Sequence, residues 1–239
     1  IAGCGTGQHI ASAERYLNSN ILGVDISLKS LAYAKRKVLE LNLKNIEFLH
    51  ADILKLKNLN KKFDVIECVG TLHHMRDPLS GLKILLNLLE PHGFLKLGLY
   101  SQIARQNIVK ARELIKRRKI KNTPEDIRTF RDSILNEKEN QPLQKLFNIK
   151  DFYSTSMIRD LIFHVQEHRF NLPEISKILK DFNLEFLGFI NPSIKFEYSK
   201  IFYKDKKNIS LDNWNKFEMS NQQTFSNMYQ FWIRKVGKL

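Results

Sequence analysis

The sequence predicts an α/β domain whose mostly parallel sheet is doubly wound, with helices on both faces. Over residues 1–100, short aliphatic and β-branched runs alternate with segments whose apolar residues recur every three or four positions. Glycine or aspartate follows several of the runs. Strand and helix in alternation favour a parallel sheet. The length of 239 residues, 43% of them hydrophobic, suits one such domain with an appendage.

The elements of this half of the chain follow from its pattern. Strands are predicted at 21–24, 46–49, 63–69 and 94–100, and helices at 12–17, 28–43 and 79–89. Asp77 and Pro78 suit the start of the last helix, as a cap and a proline at the first helical position. Ile1 and Ala2 stand directly before a glycine loop, so we expect them to end a further strand that is truncated.

The residues that follow these strands indicate a ligand site. Ligands of doubly wound sheets bind at the carboxyl ends of the strands. The loop Gly3-Cys4-Gly5-Thr6-Gly7 lets backbone approach a ligand closely. Asp25 can accept hydrogen bonds from ribose hydroxyls, and Asp52 can accept one from an adenine amino group, with Ile53 over the ring. A dinucleotide-binding fingerprint would need glycine at position 8, where the chain has Gln8.

These motifs resemble, in order, those of class I S-adenosylmethionine-dependent methyltransferases (type 11/12-like). The resemblance covers about residues 1–100 and lies in the segments AGCGTGQ, GVDIS, ADIL, FDVIECVGTLHHMRDP and EPHGFLKLGLY. It implies a seven-stranded Rossmann-like sheet with an antiparallel last strand, closed by a helix at 173–182 and strands at 184–190 and 228–236. RQNIVKAREL, DFYSTSMIRDLIFHVQEHRF and MYQFW resemble methyltransferase domains attached to tetratricopeptide repeats in bacterial proteins, which implies an upstream repeat domain.

The resemblance also implies S-adenosylmethionine as cofactor and assigns residues to it. The glycine loop would pass under the methionine part, the two aspartates would hold ribose and adenine, and the end of the 63–69 strand would lie near the sulfonium. The residues implied are Gly3, Gly5, Gly7, Asp25, Ile26, Asp52, Ile53, Cys68, Val69 and Gly70. Helix capping is the alternative role of the two aspartates, and Cys4 and Cys68 are expected to be buried small hydrophobes.

His73 and His74 follow the same strand and are candidate general bases, since histidine titrates near neutral pH. The alternative is that one of them is structural, because Leu72-His73-His74 recurs in family members with different substrates. Tyr100, at the end of the next predicted strand, is assigned to the substrate side.

Residues 101–172 are predicted to form a helical insertion that caps the site, with the closing helix and hairpin at 173–239. Its segment His164 to His168 matches H-x-x-E-H, and two histidines four apart on a helix can bind zinc. The motif is short, so we expect no metal. His164 and His168 are instead candidate catalytic residues in the substrate-facing wall, with Tyr153 and Arg169; hydrogen-bonded scaffold is the alternative.

The predicted function is methyl transfer to a small-molecule or protein acceptor. An RNA methyltransferase that uses the basic helix 105–121 and a catalytically silent scaffold are the alternatives. The net charge of +14 permits nucleic acid, but the helix lacks the interleaved aromatics of a stacking groove, so a solvated face is favoured. Two cysteines suit a reducing, cytoplasmic location. No uncharged run of about 18 apolar residues occurs, so no membrane partner is expected.

Overall fold

A computed structural model describes residues 1–11, 18–136, 141–163 and 166–237. The helices are α1 (Gln8–Ala11), α2 (Leu28–Glu40), α3 (Pro78–Leu88), α4 (Gln106–Arg117), α5 (Pro124–Asn136), α6 (Gln141–Gln144), α7 (Thr155–Ile162), α8 (Leu172–Asp181), α9 (Pro192–Ile201) and α10 (Leu211–Ser220). The strands are β1 (Ile21–Asp25), β2 (Ile46–His50), β3 (Phe63–Val69), β4 (Leu89–Leu99), β5 (Leu184–Phe189) and β6 (Tyr229–Lys235). The helix expected at 12–17 lies outside the described residues.

The strands form a mixed sheet whose two parts meet at Ala2. β1 pairs with β2 and β3 pairs with β4, in parallel, while β6 runs antiparallel between β4 and β5. The amide of Ala2 donates to the carbonyl of Glu67 on β3 at 2.8 Å, and Ala2 pairs in parallel with Val24 on β1. The mostly parallel fold and the antiparallel last strand are therefore confirmed.

The chain reverses its direction of winding at Ala2. It leaves Ala2 for β1 and β2 on one side, then crosses to β3 and β4 on the other. Such a reversal opens a crevice at the carboxyl ends of the strands, where ligands of these sheets bind. The topology thus directs attention to the loops after Ala2, β1, β3 and β4.

Local sequence explains where two of the helices begin and end. Asp77 Oδ1 accepts the amides of Leu79 and Ser80 at 3.0 and 3.2 Å, so α3 begins at Pro78 as expected. The helix expected at 28–43 ends earlier, at Glu40. Asn42 adopts a φ of 51°, in the left-handed region that stops a helix.

β4 begins five residues before its expected start. Leu89 already pairs with Phe63, and the register shifts before Val65 pairs with Phe94. His92 has a φ of 63° within this irregular stretch. Pro91-His92-Gly93 therefore forms a distorted part of the strand.

The closing strands are antiparallel as expected, but no tight hairpin joins them. The connection carries α9 and α10, which pack on the sheet through aromatic rings. Trp214 stacks on Tyr198 with ring centroids 3.8 Å apart and meets Phe189 of β5 edge-on at 5.0 Å. These two helices were not anticipated from the sequence.

The insertion after β4 is helical, as predicted, and has a core of its own. Buried side chains of α4, α5 and α7 pack with Phe152 in a cluster separate from the main core around the sheet. Residues 166–170, here called the return segment, then lead the chain back to the sheet. No helix in the described ranges combines the length and apolarity that a bilayer crossing requires.

Candidate active site

The glycine loop and the loop after β3 touch at the switch point. Gly3 has a φ of 74°, and a Cβ placed on it would lie 2.0 Å from Thr71 Oγ1. No other residue type fits there without displacing Thr71. The first predicted motif and the end of β3 therefore come together.

Asp25 joins the glycine loop to the end of β1. Its Oδ2 accepts the amide of Gly5 at 2.7 Å, and its Oδ1 accepts the amide of Ser27 at 2.8 Å. A carboxylate offers about four acceptor positions, so each oxygen has capacity for a further hydroxyl donor. Ile26 beside it is 69% exposed. A half-buried carboxylate thus adjoins an open apolar surface.

Asp52 and Ile53 do not repeat the pairing of a half-buried carboxylate with an exposed isoleucine that Asp25 and Ile26 show. Asp52 Oδ1 accepts the amide of Leu54 at 2.9 Å and caps a 3₁₀ helix over Ile53–Asn58. The capping role that the sequence left open for Asp52 is therefore present. Ile53 is buried in the main core, where its side chain packs with the sheet and does not stand open as a cover.

The end of β3 lies at the same edge of the sheet. Cys68 is fully buried, and burial raises the pKa of its thiol to about 12. Burial likewise raises the pKa of Cys4 to about 11. Both thiols are protonated at neutral pH and pack as small hydrophobes, as expected. Gly70 has a φ of 78° and lies near Met228, just before β6.

The two histidines after β3 have different environments. His73 is fully buried, and its ring stacks on Tyr100 with centroids 3.7 Å apart. His74 is half-buried, with Nδ1 3.0 Å from the carbonyl oxygen of Gln166. A carbonyl cannot donate, so Nδ1 carries the proton and Nε2 is the basic nitrogen. His74 is therefore the better candidate for a general base.

The return segment is attached to both neighbouring loops by its backbone. The amide of His168 donates to the carbonyl of His73 at 2.7 Å, and the amide of Phe170 donates to that of Tyr100 at 2.9 Å. The amide of Gln102 donates back to Phe170 at 2.8 Å. His168 and Arg169 thus lie beside the predicted site residues of the sheet edge. His164 lies outside the described residues.

A buried ion pair joins Glu167 of the return segment to Arg105. The side chain of Glu167 is 1% exposed and accepts from Nε and Nη2 of Arg105 at 3.1 and 2.7 Å. The Arg105 guanidinium lies 3.5 Å above the ring of Tyr100. Sequence reasoning missed this pair because a lone arginine and glutamate 62 positions apart leave no local pattern. Glu167 appeared only as a letter of the H-x-x-E-H match.

The basic helix is solvated only in part. Its exposed cations are Lys110, Lys116, Arg117, Arg118, Lys119 and Lys121. The expectation of a solvated face is correct for these residues. It is wrong for Arg105, which is buried, and for Arg112, whose side chain is 22% exposed and faces Glu167.

The structure does not join Tyr153 to the sheet edge. Tyr153 is 58% exposed, and its hydroxyl donates to the carbonyl of Phe147 at 2.9 Å within the cap. Its ring meets Phe152 edge-on. In the described part of the chain, no group of three or more histidine, cysteine or carboxylate side chains is arranged to hold a metal ion.

Comparison with known proteins identifies the family. Residues 2–151 match the profile described as a methyltransferase domain. An uncharacterised protein of Synechococcus is 29% identical over 204 residues, which are 79% of this chain and 47% of that protein. A ubiquinone biosynthesis O-methyltransferase of Albidiferax ferrireducens is 29% identical over 93 residues, 38% of this chain and 36% of its own length.

Solved structures agree on the fold. PKMT2 from Rickettsia typhi in complex with AdoHcy superposes with a TM-score of 0.72 at 17% identity, over 97% of this chain and 48% of that one. The chain thus spans about half the length of the first relatives that it matches. With the profile match over more than half of its residues, the chain belongs to the methyltransferase-domain family, the class I enzymes that use S-adenosylmethionine as methyl donor.

Proposed function

We propose that this chain binds S-adenosylmethionine at the switch point and transfers its methyl group to a small-molecule or protein acceptor held below the return segment. The observation that carries the proposal is the meeting of three motifs at one edge. Asp25 bonds to Gly5, Gly3 touches Thr71, and the return segment bonds to the residues that follow β3 and β4.

The cofactor would lie across the ends of β1, β2 and β3. Gly3, Gly5 and Gly7, all with positive φ, would cradle its methionine part. Asp25 would accept from the ribose hydroxyls, and the exposed Ile26 would cover the adenine, with Asp52 near its amino group. Cys68, Val69 and Gly70 would lie under the sulfonium.

Methyl transfer asks little covalent chemistry of the protein. The sulfonium is already activated, so alignment of the acceptor supplies most of the effect, and proximity of this kind contributes roughly 7–11 kcal/mol. A general base adds about 10²–10⁴-fold where the acceptor must lose a proton. His74 Nε2 is our first candidate and His168 the second, with Tyr100 and Arg169 in the wall that contacts the acceptor.

The sheet itself supports a seven-stranded arrangement. Ile1 and Ala2 lie between β1 and β3, near the carboxyl ends of these strands. The carbonyl of Ile1 accepts a hydrogen bond from the amide of Val24 at 2.9 Å. A groove of about 900 Å³ continues from them between the same two strands. A strand in this groove would join the two parts into the seven-stranded sheet of the family. An upstream tetratricopeptide-repeat domain stays a prediction.

Two experiments test the function. Calorimetry with S-adenosylhomocysteine should show saturable binding to one site; no binding would favour a catalytically silent scaffold. Incubation with tritiated S-adenosylmethionine and a cell extract, fractionated into protein, nucleic acid and small molecules, should then label the protein or small-molecule fraction. Label confined to RNA would overturn our choice of acceptor and favour a role for the exposed cations of α4.

A further inference from the structure

Exposed apolar and basic side chains lie together on α9 and the turn that follows it. Phe196, Ile201 and Tyr203 expose 64%, 58% and 70% of their surface. The lysines among them are also exposed, namely Lys200, Lys204, Lys206 and Lys207. These seven side chains are here called the α9 patch. Large apolar groups gathered on a surface mark a contact with a partner or a membrane.

The turn after α9 is held firmly on the helices beneath it. Asp205 Oδ2 accepts from the hydroxyl of Tyr198 at 2.6 Å and from the amide of Ser210 at 2.9 Å. The carbonyl of Asn208 accepts from Nε1 of the buried Trp214 at 2.9 Å. The lysines of the turn therefore extend from a fixed backbone. Little conformational entropy is lost in that backbone when a partner binds.

The α9 patch carries an excess of positive charge. Residues 195–207 include five lysines and two acids. One acid, Glu197, forms an ion pair with Lys200 at 2.8 Å. The other, Asp205, turns its carboxylate inward to the hydrogen bonds that hold the turn. The three lysines of the turn thus present their charge to solvent and suit an anionic partner.

The α9 patch belongs to the edge of the sheet that carries the candidate active site. β3 and β4 are parallel, and β5 runs parallel to β4 because both are antiparallel to β6. The chain therefore leaves β5 for α9 at the edge where β3 and β4 end. The next helix, α10, is tied to the same edge, since its Glu218 accepts from the hydroxyl of Ser101 at 2.6 Å.

The shape and composition of the α9 patch distinguish between anionic partners. Apolar side chains that are more than half exposed protrude from the surface, whereas peptides bind in grooves or along sheet edges. Single-stranded nucleic acid binds by stacking on open rings, but Lys200 Nζ lies 4.3 Å above the ring of Phe196, and Ile201 has no ring. Residues 191–210 contain no arginine, the side chain that matches phosphate oxygens as a fork.

We propose that the α9 patch docks this protein on the surface of an anionic lipid bilayer. Phe196, Ile201 and Tyr203 enter the boundary between headgroups and acyl chains, and the lysines lie against the headgroups. Such binding needs no spanning helix, because the protein lies on the membrane. The inference goes beyond the proposed function and does not depend on it.

Cosedimentation with vesicles tests the electrostatic part. The intact chain is mixed with vesicles of phosphatidylcholine alone or of an equimolar mixture with phosphatidylglycerol. We expect binding to the mixed vesicles only, and weaker binding as salt is raised. K204Q/K206Q/K207Q should lower the partition coefficient about 100-fold, at about fivefold per lysine.

The control is K110Q/K116Q/K119Q, which removes the same charge from exposed positions of the basic helix and should have a much smaller effect. Equal losses in the two triple variants, or no binding to the mixed vesicles, would overturn the proposal. Binding of poly(U) that K204Q/K206Q/K207Q abolishes, without binding to vesicles, would assign the α9 patch to nucleic acid instead.

Fluorescence tests whether the apolar side chains enter the bilayer. F196W and L39W place tryptophan at exposed positions of α9 and α2. With mixed vesicles, the emission of F196W should shift to the blue and be quenched by lipids brominated in their acyl chains, while that of L39W should not change. Absence of quenching in F196W, or equal quenching in both, would contradict insertion at α9. S-adenosylhomocysteine binding should be the same in all these variants, so failure here leaves the proposed function standing.

Discussion

Asp25 combines two roles at the scale of single residues. It holds the glycine loop through Gly5 and the start of α2 through Ser27. Its charge also faces the proposed ribose position, and a hydrogen bond to a charged group contributes about 1.5–3 kcal/mol. We expect D25A to weaken S-adenosylhomocysteine binding roughly 10- to 100-fold by calorimetry, with cooperative unfolding retained. D132A, which removes an exposed carboxylate of α5, is the control; unchanged affinity in D25A would contradict the assignment.

Alanine substitutions at Gly3 and Gly5 distinguish the effect of backbone strain from the effect of a steric clash. Both have positive φ, so alanine at either position is strained by about 1–3 kcal/mol. Only at Gly3 would the new Cβ meet Thr71; a Cβ on Gly5 would lie more than 4 Å from every heavy atom beyond the adjoining residues. We expect G3A to lose far more cofactor affinity than G5A, and G3A/T71G to recover part of it. Equal losses in the two single variants would mean that the contact with Thr71 is unimportant.

His74 and His168 are expected to act on transfer and not on the cofactor. Loss of a general base lowers turnover by about 10²–10⁴-fold. In H74A and H168A we therefore expect slower tritium transfer to the labelled fraction, with the larger loss in H74A, and unchanged S-adenosylhomocysteine affinity. H92N is the control, because His92 is exposed in the irregular part of β4 and asparagine tolerates its positive φ. Full activity in H74A would return His74 to a structural role.

Single residues were predictable where they belong to a local motif. Gly3, Asp25 and His74 each follow a strand, so position along the chain identifies them. Arg105 and Glu167 were not predictable in their pairing, since they meet only after the whole cap has folded. Tyr153 was predicted to lie beside His168 because the two are near in sequence, but in the structure it is not joined to the sheet edge.

At the scale of elements, the Arg105–Glu167 pair fastens the start of α4 to the return segment. Removing one member of a buried pair leaves an uncompensated charge and costs about 3–5 kcal/mol. We expect R105M and E167L each to lower the free energy of unfolding in urea by this amount, and the double variant to cost less than the sum. The exposed pair of Arg128 and Glu125, 3.9 Å apart, is the control and should contribute about 0–1 kcal/mol. Additive losses in R105M/E167L would show that the pair is not coupled.

Strands and long helices were predictable from hydrophobic periodicity, while connections were not. β3, β5 and β6 lie within a residue or two of their expected bounds. The connection between β5 and β6 was missed because antiparallel neighbours need only a short turn, and the sequence pattern gave no reason to expect helices there. What holds α9 and α10 is the contact of Trp214 with Tyr198 and Phe189, which depends on tertiary packing.

For the whole molecule, Glu218 is a junction of cap, sheet and closing helices. It is fully buried on α10 and accepts from the hydroxyls of Ser101 and Tyr229, both at 2.6 Å. Burial raises its pKa, and the two hydrogen bonds offset only part of that effect. The folded state therefore binds this proton more tightly than the unfolded chain does.

Because the folded pKa is raised, the native state binds more protons than the unfolded chain above the ordinary glutamate value of about 4.3. Stability should then fall as pH rises through the window between that value and the folded pKa. We expect E218Q, whose amide oxygen accepts from one hydroxyl while its NH2 group donates to the other, to remove this slope in urea unfolding measured from pH 5 to 8. E218A leaves two hydroxyls unsatisfied and should cost about 1–3 kcal/mol at every pH. A wild-type slope identical to that of E218Q would contradict the assignment.

The order of the strands and helices could be predicted from the sequence, but the path by which the cap returns to the sheet could not. Alternating strands and helices, a cap after β4 and an antiparallel end follow from patterns in the sequence. The course of the return segment does not, since residues 166–170 show no periodicity and are placed by hydrogen bonds to His73 and Tyr100 and by the Arg105–Glu167 pair.

Those hydrogen bonds involve main-chain atoms alone. The carbonyls of His73 and Tyr100 and the amides of His168 and Phe170 exist whatever side chains stand at these positions, proline apart for the amides. Side chains at 168 and 169 are therefore open to exchange without loosening the attachment. On the proposed acceptor position, substitution at 168 and 169 would change which acceptor is bound while Asp25 and the glycine loop stay unchanged.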